Sequence, residues 1–464
     1  MSLNEVLSSS ALEQARLIRR REISSEELTR LYLSRIERLN PKLQAFVSVF
    51  STRAIAVARR KDAAVRRGDE VPVFHGVPTA IKDLNLVRFT WTRFGTRAAI
   101  PLFLPFDDKL TQSVRRGGFV ILGKLSTSEM GAMPVTEPDT HPPTRNPWDP
   151  SRSAGGSSGG SGAAVASAML PIAPGSDGAG SIRIPSAFCH LFGFKPSRGR
   201  VVNAYGRDDR DILYSDGPMA RSVEDAAALL DVLAGLDVGR PHWAPAPSRP
   251  YRETLSAPDA PLSVRFSTRS SLGPTDPDIA TAVRDVALAL SELGHHVEEA
   301  AFPEGSLDEF LPIWQYAVAE FPAQLWRLAQ PITRWLGELG RRLKAEDVAA
   351  RKRSIAARLN AELAGPDIWV TPTVAMPAPK VGAFANRPAE EAFRDAAQYG
   401  AFTAPFNITG QPAASVPIGL TRGGLPIGLQ IVGRMFDDRG VLALSRQVEE
   451  LRPWSGRSAP VVGE

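Results

Sequence analysis

Residues 153–169 constrain this chain more than any other stretch. Ser153-Ala154-Gly155-Gly156-Ser157-Ser158-Gly159-Gly160-Ser161-Gly162 is built only from Ser, Gly and Ala, and Ala163-Ala164-Val165-Ala166-Ser167-Ala168-Met169 continues it with small residues. Gly/Ser-rich runs are usually flexible linkers. The neighbours argue otherwise. Asn146-Pro147-Trp148-Asp149-Pro150 upstream is a rigid turn with an aromatic anchor, and residues 162–169 read as a helix whose small side chains suit close packing in a core. A glycine loop that opens a buried helix can hold a bound group against backbone N–H groups.

The rest of the chain frames that segment. Ser24 and Glu27 have capping-box spacing, and Leu28, Leu31, Tyr32 and Leu39 recur at helical period, so residues 10–40 are expected to be helical. A second amphipathic helix is expected over 51–67, ending at Gly68. Val73–Leu84 and Phe119–Gly123 read as strands, 240–262 as a Pro/Ala-rich surface crossover, 307–364 as helical, and 401–434 as short strands separated by glycines. Length alone suggests about three domains. However, 43% hydrophobic residues can build one large core, nothing repeats internally, and strand and helix patterns alternate. The expectation is one α/β domain over 1–464, with N-terminal helices in 1–70, a core in 71–235, a variable region in 240–395 and a return to the core in 396–464.

Composition excludes several functions. A formal charge of +5 is spread over solvated helix faces such as Arg19-Arg20-Arg21, so nucleic acid is not an expected partner. The single cysteine, Cys189, rules out an internal disulfide and any Cys-built zinc site. No apolar run reaches the 18 or so residues a membrane span needs, and Met1–Glu5 shows no secretory pattern, so a cytoplasmic chain without membrane contact is expected.

Three catalytic patterns compete for the serines. Gly156-Ser157-Ser158-Gly159-Gly160 formally matches G-x-S-x-G, but that fold needs a histidine late in the chain, and none of the six histidines lies in the last third. An S-x-x-K enzyme fails, because no lysine has a serine three residues before it. The adjacent pair His295-His296 is the only close pair of histidines; it reads as a solvated turn, so no metal site is expected. A serine activated by a neutral lysine remains, and burial is what lowers a lysine's pKa. Most of the nine lysines sit in polar contexts that read as exposed; Lys82 does not, since it lies in the apolar strand-like run Gly76-Val77-Pro78-Thr79-Ala80-Ile81-Lys82-Asp83-Leu84. The same run admits a structural ion pair between Lys82 and Asp83.

The segments Gly155–Ser161, Gly175-Ser176-Asp177-Gly178-Ala179-Gly180-Ser181-Ile182-Arg183-Ile184-Pro185, Gly193–Ser197, Asp216–Ser222 and Thr403–Pro412 together resemble the amidase signature family. The resemblance implies a large mixed, twisted β-sheet covered by helices. It implies hydrolysis of a carboxamide, aryl amide, ester or carbamate, as in aryl acylamidases and urethanases, with no cofactor. Site roles follow residue by residue. Ser181 would be the nucleophile, Ser157 the bridging serine behind a cis peptide from Gly156, and Lys82 the base. The backbone N–H groups of Gly178, Ala179, Gly180 and Ser181 would form the oxyanion hole, with Ser158 and Asp177 bracing the loops.

Two residues depart from the family pattern. Ala179 stands where many relatives have glycine, which requires a negative φ there. His190 replaces a glycine after Cys189, which is expected to be buried and inert. A second role within the family is the glutaminase component of a tRNA-dependent amidotransferase, and a third reading is an inactive binding scaffold. Ile184, where glutaminase components tend to carry a polar residue, favours the hydrolase. A small-molecule substrate and a monomer or homodimer are expected, with specificity drawn from the Trp- and Leu-rich part of 307–395.

Overall fold

The computed structural model of the chain describes residues 3–202, 213–234, 244–256, 258 and 260–463. Local signals build its first layer. Ser24 and Glu27 form the reciprocal capping box, with Ser24 N–H donating to Glu27 Oε2 at 2.8 Å and Glu27 N–H to Ser24 Oγ at 3.1 Å. The helix they open, Ser25–Leu43, buries Leu28, Tyr32, Ile36, Leu39 and Leu43 along one face. The expected single helical stretch over 10–40 is in fact two helices, Ala11–Arg19 and Ser25–Leu43. Arg21 breaks them apart at φ 62°, and the Asp62 carboxylate accepts from Ser25 N–H at 2.6 Å at the start of the second. Helix Ser51–Arg67 stops at Gly68, which takes a left-handed conformation.

The centre is an eight-stranded mixed sheet. Its order is His296–Glu299, Ser263–Phe266, Ile368–Pro372, Pro426–Gly433, Ala413–Leu420, Phe192–Lys195, Ser215–Ala220 and Ile172–Asp177. The first three strands run parallel, and every later pairing is antiparallel. A smaller sheet of Phe46–Val49, Val120–Leu125 and Pro78–Lys82 lies beside it, tied by Thr79 Oγ1 donating to Ile172 O at 2.9 Å. One apolar core runs through both sheets and their helices, from Leu28 and Tyr32 through Val120 and Phe192 to Val370 and Leu444. This is the α/β architecture expected from the sequence, a large mixed sheet under helices.

The small-residue segment is a buried helix, Gly159–Ala166, in which all but Ala166 are buried. Its composition is a steric requirement. A Cβ at Gly160 would come within 2.5 Å of the backbone N and O of Ser126. Elsewhere the strand-like reading of 401–434 needs correction, because it contains the helix Pro405–Thr409 ahead of two long strands. His295 is not in a solvated turn either. It is buried, accepts from Leu262 N–H at 3.0 Å and meets Gln447 Oε1 at 2.9 Å. Part of the 240–262 crossover lies outside the described residues; the part described from 244 onward is mostly irregular, with one short turn at Tyr251–Glu253. Among the described residues no helix is long and apolar enough to cross a membrane.

Candidate active site

Lys82 is the last residue of the fully buried strand Pro78–Lys82 and is itself only 1% exposed. Asp83 is not its partner. That carboxylate pairs with Lys124 at 2.8 Å, on the strand running parallel to Pro78–Lys82. Lys82 Nζ instead donates to three hydroxyls: Ser157 Oγ at 2.7 Å, Ser158 Oγ at 2.9 Å and Ser176 Oγ at 2.9 Å. Burial pushes its pKa down to about 7, against the opposing pull of Asp216 and Asp177. A neutral amine has two N–H bonds and one lone pair, so with Lys82 neutral one of these hydroxyls must donate its O–H in a hydrogen bond to Nζ. Ser157 makes the shortest contact.

Two loops present the serines. The Gly156–Ser157 peptide is cis. Thr136 holds this loop, with Oγ1 donating to Gly155 O at 2.9 Å and accepting from Gly159 N–H at 3.1 Å. Ser158 ties the loop to its neighbour: its Oγ donates to Ser176 O at 3.2 Å, and its N–H donates to Ser181 O at 3.3 Å. Ser181 sits just before the helix Arg183–Cys189 and lines the floor of the main pocket together with Gly156 and Ala179.

The second loop is organised by a buried ion pair. Arg183 reaches Asp177 at 2.8 Å, and both side chains are fully buried. Burial alone would raise the Asp177 carboxyl, but the Arg183 guanidinium overrides it and holds the group well below the usual carboxylate range. Arg183 also donates to Thr403 O at 3.0 Å, Gln430 Oε1 at 2.7 Å and Asn407 Oδ1 at 2.7 Å. Asn407 returns a bond to Asp177 O at 2.8 Å, and Thr403 Oγ1 donates to Ala179 O at 2.6 Å. The segment 403–430 therefore fixes the loop that carries Ser181. Arg183, Thr403 and Asn407 fall within the matching segments, where sequence alone assigns them no role. Ser176, the third hydroxyl on Lys82, is a site residue that sequence reasoning missed.

One expected oxyanion donor needs correction. Gly180 N–H donates to Asp177 Oδ1 at 2.7 Å, so this amide is already engaged by a carboxylate. Gly180 has φ +128°, and a Cβ there would collide with Thr403 Oγ1. Ala179 is not among the positive-φ residues, so its methyl group is accommodated. The amides of Gly178, Ala179 and Ser181 have no hydrogen-bond partner among the described residues. His190 lies away from the pocket, packed edge-on against Trp148 at 5.0 Å, and burial lowers its pKa to about 4. Cys189 is buried as well, and burial pushes its thiol far up. Among the described residues no cluster of His, Cys, Asp and Glu could hold a metal ion.

Above Ser181 opens a pocket with about 970 Å³ of empty space. Its walls are mainly apolar, with Met133, Ile184, Phe302, Phe310, Trp314 and Ile408 prominent. Its charged residues are Glu304, Glu309 and Arg358: Arg358 pairs with the Glu309 carboxylate at 2.7 Å and donates to the backbone carbonyl of Glu304 at 2.6 Å.

Comparison with known proteins fits this geometry. The amidase family model matches residues 27–442. A putative amidase of Synechocystis is 38% identical over 448 residues, covering 95% of this chain and 88% of its own. The chain belongs to the amidase signature family. As a family member it is an amidase-type hydrolase. The solved structure of a 6-aminohexanoate cyclic dimer hydrolase superposes with a TM-score of 0.88 at 32% identity, covering 98% of this chain and 99% of its own. One component of the glutamyl-tRNA(Gln) amidotransferase of Myxococcus xanthus is 33% identical over 97% of this chain and 98% of its own. Overall similarity therefore spans both hydrolases and amidotransferase components, and the choice between them rests on the pocket.

Proposed function

We propose that this amidase hydrolyses uncharged, apolar carboxamides, including aryl amides, through a Ser181 acyl-enzyme. The observation that carries the reading is Lys82, buried and held 2.7 Å from Ser157 Oγ with its pKa lowered to about 7. Neutral Lys82 takes a proton from Ser157, which in turn takes one from Ser181 as that oxygen attacks the carbonyl carbon. The amides of Gly178, Ala179 and Ser181 face the oxygen that becomes negative. The relay then runs backwards. Lys82 returns the proton through Ser157 to the departing nitrogen, and a water molecule hydrolyses the ester by the same route. Ser158 and Asp177 position the loops and do not react. Esters and carbamates share the attack step and fall within the same chemistry.

In this reading the parts of the chain divide the work. Residues 71–235 carry the relay over the packing of 1–70, 396–464 brace the nucleophile loop, and 240–395 supply much of the substrate wall. Phe302, Phe310, Trp314, Ile355 and Leu359 support that last role, since all line the pocket. The glutaminase reading fits less well. Free glutamine carries an ammonium and a carboxylate; Arg358 in the pocket lining already pairs with Glu309, and burying the carboxylate against the apolar walls without a partner is costly. The test is kcat/KM for an apolar anilide against glutamine on the isolated chain. A large preference for the anilide is expected, whereas a preference for glutamine would move the chain to the amidotransferase role.

A further inference from the structure

Trp314 packs against the loop that carries Ser181 and hydrogen-bonds to a turn that borders Ser157. It lies on the helix Leu307–Ala319, inside the region that matches the family least clearly in sequence. Its Nε1–H donates to Ala132 O at 3.2 Å. Ala132 follows Gly131, where a Cβ would lie 3.5 Å from Ser157 Oγ, so this bond anchors the indole beside the bridging serine. The far edge of the ring covers the other loop. A Cβ at Gly178 would sit 3.3 and 3.4 Å from Trp314 Cζ3 and Cη2. A side chain at 178 would make the indole give by a few tenths of an ångström, so the ring packs closely against the loop that carries Ser181.

Phe310, one helical turn earlier, lies 5.9 Å from the Trp314 ring at an interplanar angle of only 24°. The two rings pack as an offset, near-parallel pair, and both line the pocket. Some of the other positions lining the cavity are small, among them Ala179, Gly400, Ala401 and Ala404. An aromatic face in a cavity also lined by glycine and alanine favours a thin, planar guest, because offset stacking is satisfied only by a flat π-system. A puckered ring of equal size presents axial hydrogens to the indole and loses that contact.

The structure assigns to Trp314 the selection of substrates that carry a planar aromatic group beside the scissile amide. The inference rests on the amidase reading above and adds to it the residue and the shape it selects. Trp314 is a specificity-determining and positioning residue, with no part in proton transfer.

The test compares 4-nitroacetanilide with N-cyclohexylacetamide in wild type, Trp314→Phe and Trp314→Ala. Anilides are intrinsically more reactive, so the quantity to read is the change in the anilide-to-cyclohexyl ratio of kcat/KM, from which intrinsic reactivity cancels. Trp314→Ala should lower that ratio several-fold, up to about tenfold, while Trp314→Phe, which keeps a ring, should hold it within about twofold. The same two compounds are titrated calorimetrically into Ser181→Ala, with and without Trp314→Ala. This arm needs no turnover, so it reads selection even if the catalytic assignment fails. Anilide binding should weaken selectively. Equal losses for both compounds, in kinetics and in binding, would mean the indole is only packing and would overturn the proposal.

Discussion

Replacing Lys82 by alanine separates its two jobs as base and acid. Expelling an amine from a tetrahedral intermediate requires a proton, because an amide anion is too basic to leave, whereas a phenolate leaves nearly unaided. Lys82 is the only amine on the relay, bonded at once to Ser157, Ser158 and Ser176. Loss of the general base alone is worth roughly 10²–10⁴-fold in rate. At 1.36 kcal/mol per tenfold, that is about 2.7–5.4 kcal/mol of barrier. An ester with a phenolate leaving group should show roughly this loss. A matched amide should lose about another 10²-fold or more, because protonation of the leaving nitrogen fails as well. Steady-state kinetics on an acetate ester and an acetanilide bearing the same aryl group reads both numbers. The fold must be checked in parallel, since truncation leaves three buried hydroxyls with fewer partners, each worth about 1–3 kcal/mol if unsatisfied. Equal losses for ester and amide in a folded variant would show that Lys82 is a structural cation, and the relay would have to be abandoned.

Three further outcomes follow from the same electrostatics. Burial lowers the Lys82 pKa to about 7 and Asp216 raises it, so wild-type activity should climb with pH through neutrality as the amine becomes neutral. Asp216 is buried across the strand ladder from Ser176, with its own carboxyl raised by burial and by Asp108. Asp216→Asn removes a group that favours the Lys82 cation, so the rising limb should move to lower pH; a limb that stays or moves upward contradicts the assignment. Arg183→Met should leave Asp177 buried and unpaired, lowering stability by about 3–5 kcal/mol as read by chemical denaturation. An unchanged midpoint would show that Asp177 is held by something other than Arg183.

What could be read without coordinates was what depends on near neighbours. The Ser24–Glu27 cap and the Gly68 stop act within a turn, and the small residues of 159–166 record the tightness of their packing directly. Pairing was not legible. Phe192–Lys195 hydrogen-bonds to Ala413–Ser415, more than two hundred residues on, and no local pattern encodes that register. The same reason left Lys82 and Asp83 as a candidate pair, because the true partner of Asp83, Lys124, comes from the adjacent strand. Periodicity overran the break at Arg21, and the glycines of 401–434 concealed the short helix Pro405–Thr409. The engaged Gly180 amide lay beyond sequence altogether, since it depends on where the Asp177 carboxylate points.

Covalent labelling tests the central claim most directly. A fluorophosphonate reacts with an activated serine and leaves a phosphonylated side chain whose added mass peptide mapping can locate. The account predicts stoichiometric labelling at Ser181 in the wild-type chain, loss of labelling and of turnover in a folded Ser181→Ala variant, and slow labelling in Lys82→Ala, where the base is gone. Undiminished labelling in Ser181→Ala, or a label mapped to Ser157, Ser158 or Ser176, would contradict it.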